Sequence, residues 1–71
     1  MEETKNLMDG LLEEMNRVRE IIAEYESLPN GAGGFAAAIM KADIKRTEKS
    51  ISDNDVVAML REYSQLKTWE R

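Results

Sequence analysis

A glycine-rich segment near the middle of the chain is the first place where the residue types could do chemistry. Residues 28–34, Leu-Pro-Asn-Gly-Ala-Gly-Gly, hold the sole proline and three of the four glycines, which predicts a loop. A helix that begins directly after such a loop points unpaired backbone N–H groups and the positive end of its dipole at solvent, an arrangement that binds anions. Cations follow within the next turns. The candidate anion site comprises Gly31, Gly33, Gly34, Lys41, Lys45 and Arg46.

The same glycines have a structural interpretation, which we prefer. No strand is predicted before the loop, no Lys-Ser or Lys-Thr pair follows it and G-x-G-x-x-G is incomplete, so the match to phosphate-binding loops is poor. Glycine also serves a connection between two helices, where it permits positive φ and close packing. The lysines would then form weak ion pairs with an acidic first helix. The sequence leaves both interpretations, connector and site, open.

Catalysis and metal binding have little support in the residue types. The sequence contains no Cys and no His, which removes disulfides, thiolate ligands, the commonest general base and the commonest transition-metal ligand. Asp43 is the one acid on the apolar side of its predicted helix, where it must be solvated or paired. Arg17, Arg19 and Arg46 are its candidate partners. Residues 53–55 lack the spacing of a calcium loop, so we expect no metal, no cofactor and no enzyme activity.

The element that would position these groups is a long helix over residues 3–27. Its apolar residues recur at steps of three and four, as in a coiled-coil seam. A helix of that length extends roughly 35 Å, more than one small chain is expected to cover. We therefore predict that the seam is the interface of a homo-oligomer, most simply a dimer. The seam consists of Met8, Leu11, Met15, Val18, Ile22 and Tyr25.

Two shorter helices are predicted after the loop, over residues 35–50 and 53–68, and would form a hairpin. The second is expected to take Ser52 or Asp53 as its N-cap, because a side-chain oxygen there accepts from the free amides of the first turn. The expected fold class is all-α, with one helical domain over residues 1–71. In it, the long N-terminal amphipathic helix and the two-helix hairpin assemble as a helical-bundle homo-oligomer.

Charge and hydropathy narrow the choice of partners. Fourteen acidic and ten basic residues give a formal net charge of −4, which disfavours binding to the phosphates of nucleic acid. No stretch approaches the ~20 apolar residues that cross a bilayer, and no basic region followed by an apolar run opens the chain. We expect a cytoplasmic location and no membrane partner. A chain of 71 residues buries only about 60% of its unfolded surface, which favours a stabilising partner chain.

Two stretches of the second half carry a resemblance to known proteins. They are residues 33–40, with the sequence GGFAAAIM, and residues 55–63, with the sequence DVVAMLREY. The segment that they bound, about half of the chain, resembles the short helical accessory proteins of tailed phages and prophages. Such proteins often modulate host or defence machinery through protein contacts, and some sequester signalling nucleotides. The resemblance implies a host protein as partner and the host cytoplasm as location.

Two functions therefore compete. The first, which we favour, is a non-enzymatic interaction protein that regulates or inhibits a host protein as a homo-oligomer, through an exposed acidic or aromatic surface. The second is a small-ligand module that captures or sequesters a nucleotide or another anion at the glycine-rich loop, with help from the nearby lysines. An enzyme is disfavoured because no two carboxylates have a spacing that implies a shared site.

Overall fold

Three α-helices and short connections make up the part of the chain that the structure, a computed structural model, describes. The backbone is described over residues 2–70 and the side chains over residues 7–70. In chain order the elements are α1 (Glu2–Glu26), a 3₁₀ turn (Pro29–Gly31), α2 (Gly34–Ser52) and α3 (Val56–Lys67). The predicted all-α fold, a long N-terminal helix followed by a helical hairpin, is confirmed. Within the described residues, no helix has the length and apolar character needed to cross a bilayer.

Helix α1 carries the apolar face around which the other helices pack. Its apolar residues return every three or four positions and therefore lie on one side. Leu11 and Val18 have no exposed surface, while Met8 and Tyr25, at the two ends of the predicted seam, are partly buried against the core. The buried part of this core contains Leu11, Met15, Val18, Ile21, Ile22, Ala37, Met40, Ile44, Met59 and Leu66. The predicted seam is thus the inner face of a single chain.

Helix α2 covers the first side of this face by running back along α1. Two ion pairs fix its direction: Lys41 pairs with Glu26, and Glu48 accepts from Arg19 at 3.2 Å. A residue later in α2 meets a residue earlier in α1, so the two helices are antiparallel. The predicted complementarity between α1 and the lysine-bearing helix is therefore formed within one chain.

Helix α3 and the residues after it cover the second side. The ring of Tyr63 lies against Gly10, and the hydroxyl of Tyr25 donates to the carbonyl of Glu70 at 3.4 Å. An earlier residue of α1 thus contacts an earlier residue of the α3 segment, and a later residue contacts a later one, so α3 is parallel to α1. Helices α2 and α3 pack along the two sides of the apolar face of α1 and together cover the seam. Our expectation that one chain could not cover the seam was therefore wrong for the described side chains.

The glycine-rich loop is a tight connection that brings α2 against the end of α1. Asn30 and Gly31 both have positive φ, at 62° and 70°. Gly33 is required for a different reason: a Cβ atom there would lie 2.3 Å from the carbonyl oxygen of Tyr25, whereas a Cβ atom on Gly34 would meet no atom within 4 Å. Positive φ and close approach are the two roles that the connector interpretation assigned to these glycines.

The turn between α2 and α3 differs from the sequence prediction. Ser52 and Asp53, the expected N-cap residues, belong to the end of α2, since Asp53 N–H still donates to the carbonyl of Lys49 at 2.8 Å. Asn54 then reverses the chain with a φ of 58°. The N-cap of α3 is Asp55, whose carboxylate accepts from the Ala58 amide at 3.1 Å. Residue 54 takes the left-handed conformation readily because Asn tolerates it.

Two glycine variants test the loop. Replacing Gly33 by Ala should lower the free energy of unfolding by about 2 kcal/mol or more, because the new methyl group overlaps a backbone oxygen that cannot move independently. Replacing Gly34 by Ala should leave stability unchanged or raise it by up to about 1 kcal/mol, because the methyl group enters open space and the unfolded chain loses freedom. Urea denaturation followed by circular dichroism measures both. Equal effects of the two substitutions would contradict this packing.

A second pair of variants tests the inner face of α1. Replacing Met15 by Lys should destabilise the chain by at least about 3 kcal/mol, since an unpaired ammonium would replace a side chain that is buried within the monomer. The matched control is Leu12→Lys, because Leu12 is 45% exposed and should tolerate the same group within about 0.5 kcal/mol. Loss of self-association with full retention of helicity in Met15→Lys would instead place the residue at an interface between chains.

Candidate functional site

An open groove of about 320 Å³ lies between α1 and α2. Ile22 from α1 and Ile44 from α2 are each only 7% exposed and form its apolar floor. Charged side chains form its rim. We call this concavity the α1–α2 groove, and it is lined by Arg19, Ile22, Lys41, Ile44, Lys45 and Glu48.

Helical spacing explains why these residues meet. Lys41, Lys45 and Glu48 stand at positions i, i+4 and i+7 of α2 and therefore share one side of that helix. Arg19 and Ile22, at i and i+3, share the facing side of α1. The aliphatic stems of lysine and arginine can cover apolar surface while their charged ends remain in water. The antiparallel packing of α1 and α2 thus combines an apolar floor with a charged rim.

The rim is predominantly cationic, although the chain as a whole is acidic. Arg19 pairs with Glu48, and Lys41 pairs with Glu26, but both pairs are exposed and such pairs contribute little stability. Lys45 forms no ion pair with any described residue. Within the described part of the chain, the groove therefore retains a cation without an ion-pair partner directly beside an apolar surface.

The residues of the predicted anion site do not meet at one place. Lys41 and Lys45 line the α1–α2 groove, whereas Arg46 faces α3 and pairs with Asp43 of its own helix and with Glu62 of α3. Lys45 stands eleven positions beyond Gly34, which is roughly 16 Å along a helix axis. Gly33 is buried against α1. The six residues proposed together are thus divided among three places; they are Gly31, Gly33, Gly34, Lys41, Lys45 and Arg46.

Asp43 is the most deeply buried charged group, at 1% exposure, among the described residues. Its carboxylate pairs with Arg46, one of the partners expected from the sequence. The indole N–H of Trp69 donates to its Oδ2 at 2.7 Å, and the Gln65 amide approaches the same oxygen at 3.4 Å. Neither Trp69 nor Gln65 is among the partners expected from the sequence. The signal in the sequence that could have indicated the indole contact was the tryptophan itself, since a half-buried indole needs an acceptor for its N–H.

Arg17, another predicted partner of Asp43, has a different role. Its guanidinium donates to the carbonyl oxygens of Trp69 and Leu66 at 2.7 and 2.9 Å and to the carboxylate of Glu14 at 2.9 Å. A cation beside the last carbonyls of a helix satisfies free acceptors and complements the helix dipole. Arg17 therefore fixes the end of α3, and the Trp69 that follows it, against α1.

A smaller concavity of about 170 Å³ lies between the end of α2 and the start of α3. Glu62 lines it with a side chain that is only 10% exposed, and its Oε1 is buried without a hydrogen-bond partner among residues 7–70. Glu62 follows the buried Met59 by three positions, a spacing from which the sequence could have placed it on the inward side of α3. We call this concavity the α2–α3 pocket, lined by Arg46, Lys49, Ser50, Asp53, Asp55, Ala58 and Glu62.

Exposed apolar side chains are the remaining feature of the surface. Phe35, on the first turn of α2, is 82% exposed. The others are Leu12, Leu28, Ile39, Val56, Val57 and Leu60. The described residues contain no group of three or more acidic side chains arranged to hold a metal ion. The α1–α2 groove and the α2–α3 pocket thus combine charged groups, hydrogen-bond acceptors and apolar surface, which are the features that favour binding of another molecule.

The contact between Asp43 and Trp69 leads to a stability prediction. Replacing Trp69 by Phe removes the indole donor from a buried carboxylate and should lower the free energy of unfolding by about 1.5–3 kcal/mol. The control is Tyr25→Phe, which removes a longer, exposed hydrogen bond to the same terminal segment and should cost less than about 0.5 kcal/mol. Chemical denaturation followed by far-ultraviolet circular dichroism reports both. The same denaturation midpoint for the two variants would contradict a stabilising role for the indole.

Comparisons with known proteins were made at three levels. Protein-family models, curated protein sequences and solved structures gave no match to this chain. The resemblance to phage accessory proteins therefore stays a prediction from the sequence. The geometry of the groove and the pocket is therefore the structural basis for a functional proposal.

Proposed function

We propose that this chain is a non-enzymatic interaction protein that binds an acidic, amphipathic helix of another protein in the α1–α2 groove. The observation that carries the proposal is the apolar floor of the groove beside Lys45, a cation that no described carboxylate pairs with. A partner helix with a carboxylate next to an apolar side chain satisfies both features. The chain as a whole is acidic and repels an acidic partner, whereas the cationic rim of the groove attracts one.

The shape of the groove favours a helix as its occupant. Two antiparallel helices form a long concave surface, and amphipathic helices bind such surfaces with apolar side chains at i, i+3 or i+4 spacing. A helix placed over α1 and α2, on the side away from α3, would extend the three-helix arrangement toward a four-helix bundle. Leu12 precedes Arg19 by seven positions, on the same side of α1, and is exposed. It would lengthen the apolar contact by two helical turns.

The charged rim would determine which helices bind and how fast. Exposed charges contribute modestly to affinity but accelerate encounter and exclude partners of like charge. Apolar anchors that fill a desolvated depression contribute most of the binding energy at protein interfaces. Ile22 and Ile44 would receive the anchor, while Lys41 and Lys45 would orient the carboxylates beside it. The phage resemblance makes a host protein the expected source of this helix, and regulation or inhibition of that protein the expected effect.

A second copy of the chain is the competing occupant. From the sequence we predict a homo-oligomer, most simply a dimer, through the apolar seam of α1, but the fold buries that seam within one chain. Self-association through the groove would instead join two folded chains, with the acidic outer face of one α1 placed in the groove of the other. Sedimentation equilibrium at micromolar concentrations distinguishes this arrangement from a monomer that binds a different protein.

A charge reversal in the groove tests the proposal. The probe is a synthetic helical peptide with Leu and Glu at i, i+4 spacing, and the measurement is its dissociation constant by fluorescence anisotropy. Lys45→Glu should weaken binding about fivefold or more, because an attractive contact becomes repulsive. Arg61→Glu, an exposed change of equal charge on α3, should alter the affinity by less than about twofold.

Three results would count against the groove. The first is equal affinity of the two variants, and the second is binding of a peptide with Lys in place of Glu as tightly as the acidic peptide. The third is a large thermal stabilisation by mononucleotides, dinucleotides or cyclic nucleotides that is lost in Lys45→Glu, because a saturating small ligand stabilises the protein it binds. That result would favour the small-anion function over the protein partner.

A further inference from the structure

The α2–α3 pocket holds an acidic group whose hydrogen-bonding capacity the described residues do not satisfy. Glu62 is 10% exposed at its side chain, and no described residue donates to its Oε1. Its other oxygen lies 3.6 Å from Arg46 Nε, which is too long for a strong hydrogen bond. A buried acceptor without a donor is costly, and more so when it is charged. The pocket therefore contains a buried carboxylate oxygen to which no described residue donates a hydrogen bond.

The surrounding charges do not supply that donor. Arg46 is shared between Asp43 and Glu62, and Lys49 pairs with Asp53 at 3.0 Å. The two cations that line the pocket, Arg46 and Lys49, thus face three lining carboxylates, Asp53, Asp55 and Glu62. One Asp55 oxygen accepts from the first turn of α3, and Asp55 forms no ion pair with any described residue. The pocket is thus acidic on balance and faces the opposite side of α2 from the cationic groove.

We propose that the α2–α3 pocket binds a primary ammonium group, which donates to Glu62 and lies beside Asp53 and Asp55. The ligand must donate N–H groups, which excludes quaternary ammonium. An ammonium is compact and carries three donors that can be divided among several acceptors. The outer torsion of a glutamate side chain is broad, so rotation about it can turn Oε1 of Glu62 from its buried position toward the pocket when the ammonium binds. A lysine side chain of a protein partner and a free polyamine share this chemistry.

Nuclear magnetic resonance titration at constant ionic strength tests the site. The probes are 1,4-diaminobutane, N-acetyl-lysine methylamide and tetramethylammonium. The two primary amines should shift amide signals of residues 53–62 saturably, and tetramethylammonium should not. Tighter binding of the lysine derivative would assign the site to a protein partner, and tighter binding of the diamine to a free polyamine. Equal, non-saturating shifts with all three cations would overturn the proposal.

Variants of single carboxylates locate the contact. Glu62→Gln removes the charge but preserves the shape, and should weaken binding of the primary amines at least tenfold. Glu13→Gln makes the same change on the exposed outer side of α1 and should leave affinity within twofold. If Glu62→Gln alters the fold, Asp53→Asn provides an exposed substitution that should weaken binding severalfold. Unchanged affinity in both pocket variants would overturn the assignment.

Discussion

The apolar face of α1 is the constraint on which the rest of the structure depends. A helix of 25 residues gains little stability alone, and most of its stability must come from burial of that face. Neither α2 nor α3 is long enough to cover it alone. The antiparallel return of α2 and the parallel course of α3 divide the task. Gly33 permits the first turn, and the contacts of Arg17 and Trp69 hold the end of the second segment in place.

This arrangement gives α2 two flanks with opposite chemistry. The flank toward α1 combines Ile44 with Lys41 and Lys45, whereas the flank toward α3 carries Asp43 and Arg46. Because a helix turns by about 100° per residue, adjacent residues such as Lys45 and Arg46 project toward different neighbours. A locally basic segment in the sequence is therefore split into a cationic groove on one side and an acidic pocket on the other. Two concave surfaces of opposite charge follow from the packing of one helix between two others.

The sequence was sufficient for features that depend on local periodicity. The three-residue and four-residue steps in α1 identified its buried face, and the proline and glycines between Leu28 and Gly34 identified the connection. Features that depend on distant contacts were not predictable in the same way. Whether an apolar seam faces another chain or the same chain depends on how later helices return. The Asp43–Trp69 hydrogen bond joins residues 26 positions apart, and no local pattern specifies it. The proposed anion site failed to assemble because proximity in sequence was taken for proximity on one helical face.

The central claim, that one chain buries its own apolar seam, is tested most directly by the dependence of folding on protein concentration. Thermal unfolding should be followed by circular dichroism over at least a hundredfold range of concentration, with sedimentation equilibrium at the same concentrations. The account predicts a folded species of 8.1 kDa at the lowest concentration and no loss of helicity on dilution. An obligate oligomer would show a midpoint that rises with concentration, because association then contributes to stability. Loss of helicity together with dissociation would contradict the account, and would indicate that the seam is an interface between chains.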